Sequence, residues 1–94
     1  MERTTSSGFK FTVNDKLKND FRFILALSDL RSDDADRQLA GSAALVRIVL
    51  GEDGAKALYQ HVTEPDGTLP TDKVMHEITE IITLSGESEE SIKN

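Results

Sequence analysis

The sequence predicts an all-α fold: a small single-domain bundle of about four helices, with an extended N-terminal arm and a flexible acidic C-terminal tail. Three observations predict it. Leu39–Leu50, LAGSAALVRIVL, is apolar around most of a helical circumference, with Arg47 its one charged residue. The segments on either side of it also repeat their apolar residues at a helical period. With 94 residues, the chain can build one modest core and no more. A helix that is apolar nearly all round must be covered on most sides, which makes Leu39–Leu50 the predicted central helix. Leu39, Ala43, Val46, Ile48 and Leu50 are its expected buried residues.

Three regions follow from composition. Residues 1–8 are polar and rich in Ser and Thr, and are expected to be disordered. Residues 9–86 form the helical domain. Residues 87–94, ESEESIKN, carry almost nothing apolar and read as a flexible tail.

Phe9, Phe11 and Val13 alternate with Lys10 and Thr12, the period of a half-buried strand. No second strand is evident, so this run is expected to lie as an extended arm over the bundle or to add to a sheet edge on another chain. Asn14 caps a first helix, with Asp15 in its first turn, running to about Leu30. That helix carries two apolar lobes. Leu17, Phe21, Ile24 and Leu25 form one; Phe23, Leu27 and Leu30 form the other, with Ala26 on an exposed arc. Two neighbours within the domain can cover both lobes, or the Phe23 lobe can stay partly open and meet another protein.

Arg31–Asp36, RSDDAD, is a polar connector whose acids suit a helix start. Gly51 ends the central helix in a left-handed conformation. Ala55, Leu58, Tyr59 and Val62 mark a third helix, held by its short link in a tight helical hairpin. Glu64-Pro65-Asp66-Gly67 is a turn. The fourth helix follows Pro70, with Val74, Met75, Ile78, Ile81 and Ile82 inward. His76, Glu77, Thr79, Glu80 and Thr83 face outward, and Ser85-Gly86 is its stop.

Charge and motif content exclude several functions. Seventeen acids against 11 bases give a net charge of −6, which disfavours binding to nucleic-acid phosphates or to an anionic membrane surface. There is no cysteine, so disulfides and thiolate metal sites are impossible. His76-Glu77 opens HEITE, but Glu80 stands where a zinc protease motif needs its second His. A calcium loop counted from Asp29 fails as well, having Asp34 for the required Gly and Ala40 for the bidentate Glu. No phosphate loop and no nucleophile elbow are present. A non-enzymatic protein with no cofactor and no metal is expected. With no apolar run of membrane-spanning length and no apolar leader, a soluble cytoplasmic location is the expectation.

The order of segments carries a resemblance. KFTVND runs into DFRFILALSDL; ALVRIVLGEDGAKALYQHV precedes PDGTLPTDKVMHEITEII; the chain then ends in a polar stretch closing on Lys93-Asn94. From about Phe9 to Ile82 this resembles the small tail assembly chaperones of long-tailed bacteriophages and prophages, particularly those of Gram-positive hosts. The resemblance implies a mostly helical protein of the host cytoplasm, absent from the mature virion. It implies binding to the tape measure protein, which it keeps soluble, and help in recruiting the tail tube protein. It carries no catalytic residues. A helix-in-groove contact is the natural mode for a long helical client. Phe9, Phe11, Phe23, Leu27 and Leu30 are the candidate partner-binding residues, and surplus apolar face also allows self-association. In many such phages a programmed frameshift yields a longer form, and Ile92-Lys93-Asn94 is compatible with an adenine-rich slippery codon run. The alternatives are an acidic regulatory or inhibitory binding module, a DNA mimic or antitoxin-like protein, and a structural subunit of the tail.

Overall fold

In a computed structural model, the chain is mainly helical, with a short β-hairpin at its start. The structure describes residues 1–93, with side chains described through Ser85. In order come β1 (Glu2–Thr4), β2 (Lys10–Thr12), a 3-10 turn (Asp15–Asn19), α1 (Phe21–Leu30), α2 (Ala35–Val62) and α3 (Thr71–Lys93).

The N-terminus departs from expectation. Residues 1–8 supply the missing strand: β1 and β2 pair antiparallel, with Arg3 opposite Phe11. Gly8 N–H donates to Thr5 O at 2.9 Å and closes the turn, and Met1 and Val13 bond at the open end. The hairpin lies across the helices, so the alternation over residues 9–13 has the consequence period two demands. Phe9, Phe11 and Val13 are buried, while Lys10 and Thr12 face out.

The first predicted helix is broken in two. Asp20 has extended backbone and caps a new helix through its side chain, which accepts from Arg22 N–H at 2.8 Å. Asn14 does cap the segment before it, but that segment is only a 3-10 turn. The two predicted middle helices are the two arms of α2, and they meet at Gly51 (φ 77°, ψ 175°), whose non-helical, positive-φ backbone interrupts the helix where the sequence places its end. A single residue in a backbone region that only glycine visits readily redirects the chain, and no loop is spent on the turn. Among the described residues the α-helical elements are thus α1, α2 and α3, with α2 made of two helical arms on either side of Gly51.

The central helix is also rotated from its predicted setting. Leu39 is 52% exposed and Ala43 is exposed, whereas Leu45 and Val46 are buried and Ile48 and Leu50 half-buried. Gly41 explains the rotation. A methyl group there would sit 2.5 Å from Leu30 N and 2.6 Å from Ala26 O. The missing side chain lets α1 press its backbone onto this face of α2, and that close approach decides which residues point inward.

Two apolar clusters result. The larger joins the hairpin to both arms of α2 and to α3: Phe9, Phe11, Val13, Val46, Leu58, Ile78 and Ile81. The smaller joins α1 to the first arm of α2, through Phe23, Ala26 and Leu45, with Leu27, Leu30 and Ile48 against them. α3 places Ile78 and Ile81 inward, and Val74, Met75 and Ile82 half-buried, as its periodicity requires. Its bounds extend past the predicted stop at Ser85-Gly86. The tail expected over residues 87–94 lies outside the residues whose side chains are described. Among the described residues no helix is long and apolar enough to cross a membrane.

Candidate functional site

The site is built on α1. Ten residues, FRFILALSDL, carry only Arg22 and Asp29 as charges. At about 100° per residue, Phe23, Ala26, Leu27 and Leu30 share one side of this helix, and Phe21, Ile24, Leu25 and Ser28 share the opposite side. The first side closes on α2, with Phe23 and Ala26 buried. The second has no cover among the described residues. Phe21 is 71% exposed, Ile24 49% and Leu25 51%. These are three large apolar side chains on adjacent turns of one helix. Isolated exposed apolar residues need no explanation, but a contiguous stripe on a helix does.

The Asp20–Arg22 pair sets this geometry. Arg22 donates from Nε at 3.2 Å and from Nη2 at 3.0 Å to the Asp20 carboxylate, which also caps the helix. The guanidinium, then the backbone N–H, hold the Asp20 carboxyl below its ordinary pKa. The helix thereby starts at Phe21, whose ring projects from the first turn.

The sequence-predicted partner residues are placed otherwise. Phe9 and Phe11 lie in the larger core cluster, stacked with ring centroids 6.5 Å apart. Phe23 is buried, and Leu27 and Leu30 are half-buried, in the smaller cluster. The Phe23 lobe, which could have stayed partly open, is thus covered, while in the other lobe Leu17 packs on the smaller cluster and Phe21, Ile24 and Leu25 are exposed. The cause is Gly41, which draws α2 onto the Phe23 and Ala26 side. Phe23 and Leu27 keep a limited opening, for they line a cleft of about 340 Å³ together with Leu17, Val49 and Ile82.

A second feature lies at the tip of the hairpin, in a polar cleft of about 780 Å³. Glu77, expected on the outer face of its helix, is buried and accepts a hydrogen bond from Thr5 Oγ1 at 2.9 Å. Ser6 donates to Glu80 twice, from N–H at 2.9 Å and from Oγ at 2.7 Å. The hydroxyl, then the N–H, hold the Glu80 carboxyl below its ordinary pKa. His61 Nε2 lies 3.0 Å from Ser7 Oγ, and its ring packs against Phe9. His76 is exposed, with Nε2 3.6 Å from Glu80. These groups fasten the hairpin to α2 and α3. Among the described residues no three His, Asp or Glu side chains gather as metal ligands would. The sequence does hold a signal for this arrangement: Ser7-Gly8 directly precedes an alternating run, which is turn chemistry before a strand.

Comparison of the chain with family models, curated proteins and solved structures gives no match.

Proposed function

We propose that this protein is a tail assembly chaperone of a long-tailed bacteriophage or prophage. It binds the tape measure protein in the host cytoplasm and helps bring tail tube subunits to it. The observation that carries the reading is α1, apolar on two opposite sides with only one side covered. A helix face bearing Phe21, Ile24 and Leu25 suits a long helical client, whose apolar stripe it shields from water. The order of segments from Phe9 to Ile82 supports the same reading through its resemblance to that family.

The placement of the acids favours a client-binding face over an acidic mimic of DNA. A mimic needs unpaired carboxylates in a phosphate-like row. Here Asp20 pairs with Arg22 and Glu64 with Lys73, Glu77 and Glu80 hold the hairpin, and the exposed Asp33, Asp34 and Asp36 gather at the start of α2 instead of forming an extended row.

The test is co-expression with a phage tape measure protein, taken from the neighbouring genes if one is encoded there. Ile24→Lys is expected to weaken capture roughly tenfold or more, because it sets a charge where apolar surface must be desolvated. Far-ultraviolet circular dichroism should not change, since Ile24 is already half in water. Capture at the wild-type level by this variant would remove the α1 face from the proposal.

A further inference from the structure

We propose that the uncovered face of α1 closes on a second copy of the same chain, as an antiparallel pair of α1 helices about a twofold axis between Ile24 and Leu25. The argument is self-complementarity. In an isologous antiparallel pair, each flank of one helix meets the same flank of the other. Leu25 then packs on Leu25 of the other copy, and Ile24 on Ile24. Along the middle of the face, Phe21 of one copy meets Ser28 of the other. Both positions are exposed, and the largest side chain of the face falls opposite the smallest.

Charge follows the same register. Arg22 and Asp29, the two charges of α1, lie on one flank near opposite ends of the helix. Reversing one helix brings Arg22 of each copy, which also pairs with Asp20, onto the same flank and close to the level of Asp29 of the other.

The area sets the strength. Three large side chains per copy fall well short of the roughly 800 Å² per partner that a stable interface buries. The pair is therefore weak and concentration-dependent, a resting cover that a client helix displaces. The pairing deepens the client-binding reading without depending on the client's identity, so it is tested on the purified full chain alone.

The chain has no cysteine, so each engineered thiol is unique. Leu25→Cys is expected to form a disulfide-linked dimer on mild oxidation, because the two thiols face each other across the axis. Ser28→Cys is expected to stay largely unlinked. Its two copies are separated by about 10 Å along the helix axis, beyond the roughly 7 Å that a disulfide spans between Cα atoms. Light scattering of the unmodified protein should show a mass rising from 10.4 kDa towards twice that value with concentration. Ile24→Lys should hold it at the monomer mass. Crosslinking through Ser28→Cys in preference to Leu25→Cys would overturn the antiparallel register. A constant monomer mass with neither variant crosslinking would overturn the pairing itself, and would leave the client-binding reading standing.

Discussion

Phe11→Ala should lower the unfolding free energy by roughly 3–5 kcal/mol, read as a fall in the urea midpoint at unchanged slope. Phe11 is 5% exposed and sits among Phe9, Val13, Val46, Leu58, Ile78 and Ile81. Truncating it removes a large apolar surface and opens a cavity where the hairpin, α2 and α3 meet. Domains of this kind are stable by about 5–15 kcal/mol, so the loss is a large share of the whole. Thr12→Ala, one residue along the strand and exposed, serves as the control, with an expected change within about 0.5 kcal/mol. A loss at Phe11 well below 1 kcal/mol would mean that the N-terminal segment is an accessory arm rather than part of the core.

Leu58→Ala is expected to cost roughly 2–5 kcal/mol. Leu58 is fully buried, on the second arm of α2, and shares its cluster with Val46 on the first arm. The kink at Gly51 is what brings the two together. Leu39→Ala should cost no more than about 0.5 kcal/mol, since Leu39 is 52% exposed. The two variants together report the rotation of α2. A larger loss at Leu39 than at Leu58 would show that the stripe read from periodicity, and not the one set by Gly41, faces the core.

How much was legible in the sequence differs from element to element. α3 could be read almost residue by residue, because one covered face leaves a clean pattern: Ile78 and Ile81 inward, His76, Thr79 and Thr83 outward. Glu77, buried, and Glu80, half-buried beneath Ser6, are the exceptions. Their placement depends on Thr5 and Ser6, 72 and 74 residues away, and no local period can express that. In α2 the same apolar richness that identified a central helix hid its orientation, for a segment apolar nearly all round has no distinct face. The deciding residue was Gly41, which reads as helix interior until the backbone of α1 is placed against it.

The candidate site was half legible for the same reason. The sequence showed that α1 carries more apolar face than one neighbour needs, and both lobes were identifiable. Which lobe is covered depended on the docking of α2, and on Asp20 starting the helix at Phe21. Phe9 and Phe11 were read correctly as one alternating face of an extended segment. Their partner strand was missed because the Ser/Thr-rich start resembles a disordered end by composition, although its Ser7-Gly8 turn belongs to a hairpin.

The exposed face of α1 is the surface proposed to receive a helical client. Amide hydrogen exchange, measured on the chain alone and on the chain saturated with a helical segment of the tape measure protein, tests it most directly. Slowed exchange is expected to concentrate in Phe21–Leu30, with β1, β2 and the second arm of α2 unchanged. Protection over the hairpin and α3, with none in α1, would contradict it.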